Sequence, residues 1–179
     1  MSEKRNIYLI GPMGSGKTAV GRQLARDAGI EFFDADHEIE KRTGVEIAFI
    51  FEKEGEAGFR DRESEVIEAL AQLGNVLVAT GGGAILRQSN RDRLAATGIV
   101  VYLKTNVDEQ LKRTSRTRSR PLLMNSDPRA VLEDLSKTRG PLYEELADLC
   151  IDTSGQRVKS VARTIRRKLV EQGVLPLQK

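Results

Sequence analysis

Short, nearly continuous apolar runs recur along the chain at Ile7–Ile10, Ile30–Phe33, Val76–Ala79, Ile99–Leu103 and Leu149–Ile151. Runs of this length without polar alternation are expected of strands buried on both faces, so the pattern predicts five strands. Between them apolar residues return at helical spacing: Val20, Leu24 and Ala28; Val66, Ile67 and Leu70; Val107 and Leu111; Val161, Ile165 and Leu169. Strands alternating with helices predict an α/β fold with a mostly parallel sheet, and right-handed crossovers place helices on both of its faces. In such an architecture ligands sit beyond the carboxyl ends of the strands.

Two stretches break the alternation. From Asp34 to Glu63 the pairs Thr43-Gly44 and Glu54-Gly55 punctuate short helical pieces, which predicts a helical insertion over about 34–63. From Ser115 to Pro128 the chain is polar and basic, and Asn125-Ser126-Asp127-Pro128 signals a turn and a helix start. A polar stretch of that kind inside a compact domain usually serves function, so about 115–128 reads as a lid. No internal repeat or Pro/Gly/Ser-rich linker divides the chain, and 179 residues suit one domain spanning 1–179. With 39% of residues hydrophobic and evenly spread, a disordered chain is excluded.

Composition narrows the chemistry. The lone Cys150 cannot close an intramolecular disulfide, no Cys/His spacing of a structural zinc site occurs, and Cys150 reads as a small buried residue of the last strand. Ile7–Ile10 is too short for a signal-peptide core or a membrane span, so a reducing, cytoplasmic setting is expected, with no membrane partner. The net charge of +3 hides two patches: Lys112–Arg120 holds five basic residues, Arg157–Lys168 holds six, and neither holds an acid. The remainder is net acidic. Such patches suit a bound anion at least as well as a nucleic-acid surface.

Gly11-Pro12-Met13-Gly14-Ser15-Gly16-Lys17-Thr18 fits the P-loop pattern, directly after the first predicted strand and directly before a helical pattern. Its glycines let successive backbone N–H groups converge on phosphate oxygens, and the following helix turns its positive end to the same anion. Lys17 adds a mobile charge for the outer phosphates, and Thr18 offers a hydroxyl to Mg²⁺. A nucleoside triphosphate is the expected ligand, with Gly14, Ser15, Gly16, Lys17, Thr18 and Ala19 as its contacts. Asp34 and Asp36 follow the second strand at a spacing of two, which on an extended backbone sends both carboxylates to the same side. Close like charges call for a cation or a hydroxyl donor nearby, a role that Mg²⁺ and a substrate hydroxyl would divide. Either Asp could instead simply cap the helix starting near His37.

Taken in order, the P-loop and five further blocks resemble the shikimate kinases, a family in the nucleoside monophosphate kinase-like group of P-loop enzymes. The blocks are Phe33-Asp34-Ala35-Asp36, Phe59-Arg60-Asp61-Arg62-Glu63, Gly81-Gly82-Gly83, Arg120-Pro121-Leu122-Leu123 and Arg139-Gly140-Pro141-Leu142-Tyr143. Each is weak alone; the ordered set discriminates. The resemblance implies a three-layer α/β/α P-loop kinase fold with a five-stranded parallel sheet, a substrate-binding helical insertion and a lid. It also implies transfer of the ATP γ-phosphoryl group to the 3-hydroxyl of shikimate, a step toward chorismate and the aromatic amino acids, by a monomer with no nucleic-acid partner. By the same resemblance Asp34 belongs to the magnesium shell through water, and Asp36 to the substrate hydroxyls as the candidate base. Arg60 and Arg139 converge on the substrate carboxylate, with Gly81, Gly82 and Gly83 giving close backbone approach. Arg120 reaches the transferring phosphoryl group when the lid closes, and Lys17 and Asp36 complete the catalytic set. Arg113 lies against the adenine, with Gln156 on the adenine-side wall, and Pro121, Leu122 and Leu123 give the lid an apolar edge.

Plainer readings stand beside these. Arg60 is spaced to pair with Glu63 on a helix surface, and Glu63 could orient it at the same time. The triple glycine could be a simple flexible turn, though three adjacent glycines are costly to order. Arg116 and Arg118 read as solvated, and His37 as inert. Phe51 and Phe59 are candidates for lining the substrate pocket, whereas Phe49 reads as core. A gluconate or adenylate kinase would share the P-loop and lid without needing Asp36, Arg60, the glycines and Arg139 in this order. A nucleic-acid-binding ATPase would use the basic patches, but the chain lacks aromatic platforms for bases.

Overall fold

The computed structural model describes residues 5–115, 123 and 127–177. Five parallel strands, β1 (Asn6–Ile10), β2 (Glu31–Asp34), β3 (Val76–Ala79), β4 (Gly98–Lys104) and β5 (Leu149–Asp152), form one sheet in the order β2-β3-β1-β4-β5. Each strand falls where an apolar run placed it. Alternate side chains of a strand leave on opposite faces, so Tyr8 and Ile10 of β1 enter one core and Ile7 and Leu9 the other. The first core is covered by α2 (Ala35–Thr43), α3 (Ile47–Ala71), α4 (Gln88–Thr97) and α6 (Pro128–Leu146). The second is covered by α1 (Lys17–Ala28) and α7 (Val158–Glu171), whose predicted stripe of Val161, Ile165 and Leu169 is buried. Fully buried side chains such as Leu24 each contribute about 1.5–3 kcal/mol to this three-layer packing.

Continuous burial holds for β1, β3 and most of β4, but not at the sheet edges. β2 and β5 have a neighbour on one side only, and Phe32 and Phe33 are half-buried. Cys150 is exposed rather than buried. It pairs in register with Tyr102 and so faces the α6 side of β5, among Lys104, Glu144 and Asp152. The stripe expected on α5 (Val107–Thr114) also differs, because its buried residues are Gln110 and Thr114 while Val107 and Leu111 are half-buried. The cause is tertiary. That face packs on the P-loop, where a Cβ on Gly14 would lie 3.3 Å from both Gln110 Cα and Thr114 Cγ2.

Helix ends follow their local chemistry. The insertion is α2 followed by a kinked α3: Gly44 ends the first at φ 72°, and Gly55 breaks the second at φ 70°. Asp127 caps α6 by accepting from Arg129 N at 3.1 Å, with Pro128 in the first turn. Among the described residues no helix is long and apolar enough to cross a membrane. The connections leaving β1 and β4 run in opposite directions along the sheet, and this opens a crevice beyond their carboxyl ends.

Candidate active site

The crevice is a cleft of about 310 Å³ whose walls come from the segments after four strands. Met13, Gly14 and Gly16 to Ala19 follow β1, Asp34 and Asp36 stand at the end of β2, Thr80 to Gly82 follow β3, and Arg113 comes from α5. The P-loop turns through three left-handed residues, Gly11 (φ 145°), Gly14 (φ 76°) and Gly16 (φ 91°), a backbone that would strain any L side chain. Gly16 is the N-cap of α1 and brings no side chain, so no side chain caps the amides of the first turn. Those amides and the positive end of the helix make a cradle for phosphate. Lys17 Nζ donates to Gly11 O at 2.7 Å and to Pro12 O at 2.9 Å, and this holds the ammonium across the loop above the fully buried Ser15.

Asp34 caps α2, as one reading of its sequence position has it, and also bonds Thr18. Its Oδ1 accepts from Asp36 N at 3.1 Å and His37 N at 3.4 Å as a helix cap, while Oδ2 accepts from Thr18 Oγ1 at 2.5 Å. Asp36, however, lies in the first turn of α2 and not on extended backbone, so strand alternation is not what aims it. The helical turn carries its carboxylate over Gly81, where a Cβ would sit 2.9 Å from Asp36 Oδ1. The positive end of α2 offsets the repulsion between the two acids. His37 is exposed and contributes its amide to the cap of Asp34.

Thr18 Oγ1 and Asp34 Oδ2 form a pair of hard oxygen donors at the phosphate end of the cleft. That donor set suits Mg²⁺ held by one carboxylate, phosphate oxygens and water. Among the described residues no group of three or more His, Cys, Asp or Glu could hold a metal by itself, so the ion would depend on the nucleotide.

Arg60 and Arg139, far apart in sequence, are both buried and meet at the glycine segment. Arg60 Nη1 donates to the fully buried Glu63 Oε2 at 2.7 Å, and Nη2 to the exposed Glu56 Oε1 at 3.1 Å. The pairing with Glu63 is therefore present but buried, not on the surface. Burial pushes the Glu63 carboxyl up, against the pull of Arg60 and Arg139. For Arg60 burial acts downward, and Glu63 and Glu56 more than offset it. The Phe59 ring lies 5.1 Å from Arg60 Cζ and further confines the guanidinium.

None of Gly81, Gly82 and Gly83 has a positive φ, so at Gly81 and Gly83 the reason for glycine is space and not backbone angle, while a Cβ on Gly82 would meet only ordinary contact. A Cβ on Gly81 would lie 2.6 Å from Glu63 Oε1, one on Gly82 3.6 Å from Arg139 Nη1, and one on Gly83 2.5 Å from Arg60 Cζ. The segment is thus a surface that both guanidinium groups and both acids touch. In Gly83→Ala the new methyl must push Arg60 off Glu63. Titration with a small carboxylic acid should show its affinity lowered about 10-fold with that for a nucleoside triphosphate within about twofold, a loss near 1.4 kcal/mol.

Several residues were not singled out by sequence. Thr153 is buried, donates to Ser15 O at 3.1 Å, and accepts from Arg113 Nη2 through its carbonyl at 3.0 Å. Arg113 Nη1 also donates to Gly14 O at 2.9 Å, so Thr153 and Arg113 fasten the β5–α7 turn to the P-loop. A threonine after a strand carries no motif signal, and only the fold shows its partners. Thr80 lines the cleft and donates to Leu9 O at 3.1 Å. Gln156 stands outside the cleft lining, exposed, with Nε2 donating to Asp152 O at 2.6 Å. Phe59 is core, with Phe51 packed on it at 4.7 Å, and Phe49 is the exposed one at 47%, with Lys53 Nζ over its ring. Phe49 falls on the outer side of α3, so the expectation that it is core does not hold. Arg116, Arg118, Arg120, Pro121 and Leu122 lie outside the described residues, and Leu123 is half-buried.

The family model described as shikimate kinase matches residues 13–170. The chain is similar to the shikimate kinase of Alteromonas mediterranea, 53% identical over 94% of this chain and 99% of that one. It is also similar to shikimate kinase 1 of Yersinia enterocolitica, 54% identical over 92% of this chain and 96% of that one. Among solved structures, the shikimate kinase of Acinetobacter baumannii in complex with shikimate superposes with a TM-score of 0.92 at 50% identity, covering 94% of each chain.

Proposed function

The chain belongs to the shikimate kinase family of ATP-dependent kinases, and from that premise we propose how its residues divide the reaction. The chain transfers the γ-phosphoryl group of ATP to the 3-hydroxyl of shikimate, giving shikimate 3-phosphate and ADP on the route to the aromatic amino acids. The observation that carries this reading is the meeting of Arg60 and Arg139 at the glycine segment, beside the cleft that the P-loop and Asp36 line. A polyphosphate and a small acidic alcohol can lie side by side there.

The P-loop amides, with Lys17, Thr18 and Ala19, hold the triphosphate. Arg113 forms the wall toward the adenine, with Gln156 beyond it. Arg60 and Arg139 grip the substrate carboxylate, since a planar carboxylate is matched by guanidinium forks. With the acid end held and Gly81 to Gly83 flush against the ring, the 3-hydroxyl points toward Asp36, which accepts its proton as the O–P bond forms and the bond to ADP breaks. By the resemblance, Arg120, which lies outside the described residues, is the group assigned to meet the transferring phosphoryl group. Thr18 and, through water, Asp34 would hold Mg²⁺, which would supply charge neutralisation for the phosphate oxygens. A monomer in a cytoplasmic setting is part of the same proposal.

The test is ADP release from ATP with shikimate as acceptor, run beside gluconate and AMP. Shikimate alone should support turnover, and no release with it would overturn the assignment. Chelating the divalent cation should reduce turnover to background and added Mg²⁺ restore it, while the thermal midpoint of the unliganded protein stays unchanged, because the chain alone holds no metal cluster among its described residues.

A further inference from the structure

Tyr143 is among the largest fully buried side chains, yet its hydroxyl reaches out of the apolar core. The O–H donates to Gly82 O at 2.5 Å, and Arg139, one helical turn earlier on α6, reaches the same segment, its Nη1 3.6 Å from where a Cβ on Gly82 would sit. The ring is held in place by stacking on Tyr102, with centroids 5.0 Å apart and planes 25° apart. The hydroxyl thus ties two elements that approach the substrate's acid end from different directions, the helix that carries Arg139 and the peptide after β3.

We propose that Tyr143 is a positioning residue for the acidic substrate, its hydroxyl fixing the Gly82–Gly83 peptide against the turn of α6 that carries Arg139. The inference rests on the placement of Arg139 at the substrate carboxylate. Its physical basis is the planarity of the peptide unit. Anchoring Gly82 O toward α6 turns the trans N–H of Gly83 to the opposite side, and it does so in a segment where three glycines leave the backbone its greatest freedom. Without that anchor the donors facing the carboxylate are ordered only when substrate binds. Burial pushes the Tyr143 hydroxyl well above the ordinary phenol range, so it remains a protonated donor throughout the working range of pH.

Tyr143→Phe removes the hydroxyl and keeps the ring and its stack. Shikimate KM should rise about 10-fold, as expected for losing a buried hydrogen bond and its relay, with ATP KM within about twofold. Tyr102→Phe is the control, since it trims the partner ring of the same stack without touching Gly82, and it should leave both KM values unchanged. The inference is overturned if Tyr143→Phe leaves shikimate KM unchanged, raises both KM values together, or fails to fold, each of which would make the hydroxyl structural. Arg139→Lys separates the two readings. If it leaves shikimate KM unchanged, the placement of Arg139 itself is wrong; if it raises that KM while Tyr143→Phe does not, only the role of Tyr143 falls.

Discussion

Asparagine at position 36 leaves the fold intact and lowers kcat for shikimate phosphorylation by about 10²–10⁴-fold, the range expected for loss of a positioned proton acceptor. The substitution is nearly isosteric, and the cap that starts α2 belongs to Asp34, so helix and sheet have no reason to move. The change is confined to the cleft. A carboxylate that faces Gly81 and can accept the hydroxyl proton becomes an amide that cannot. Phosphoryl transfer through a loose transition state asks more for alignment and charge balance than for early proton removal, which places the effect nearer the lower end of the range. Turnover by ADP release, with shikimate affinity measured separately by titration, reports the two contributions. A kcat near that of the unmodified enzyme would show that Asp36 is not the acceptor.

Arg139→Lys should raise KM for shikimate by about 30-fold to a few thousand-fold, the equivalent of about 2–5 kcal/mol for breaking a desolvated charge pair. KM for ATP should move by less than about twofold. Arg139 is only 6% exposed, and the compact ammonium of lysine cannot span a carboxylate with two parallel bonds. The corresponding change at Arg60 is the less clean measurement. Arg60 also neutralises the buried Glu63 at 2.7 Å, so Arg60→Lys disturbs a second group and should cost stability as well as affinity. Equal rises in both KM values for Arg139→Lys would contradict its placement at the substrate acid.

The local devices of the chain were legible because each rests on short-range chemistry. Gly44, Gly55 and Asp127-Pro128 mark helix boundaries through φ and capping, and they do so wherever they occur. The P-loop is legible for the same reason, since its left-handed glycines and the helix that follows form a contiguous unit. The buried face of α5 was not legible. Periodicity assigns Val107 and Leu111 to the core, but the surface this helix meets is a glycine of the P-loop and not an apolar sheet face. Cys150 and Phe49 failed on the same ground, for an apolar residue is buried only if some other element covers it.

Sequence alone determined the five strands, the parallel alternation and the glycine-rich phosphate cradle, because these follow from dihedral preference and periodicity, whereas the groups assigned to an acid and a metal came from the resemblance. Only the tertiary structure decided that Asp36 is aimed by a helical turn, that Glu63 lies buried against Arg60, and that Gly81 and Gly83 are required by crowding. It also revealed that Thr153 and Tyr143 tie distant segments to the site. Contacts between residues 61 or 138 positions apart depend on how the layers close over one another, and no spacing along the chain encodes that.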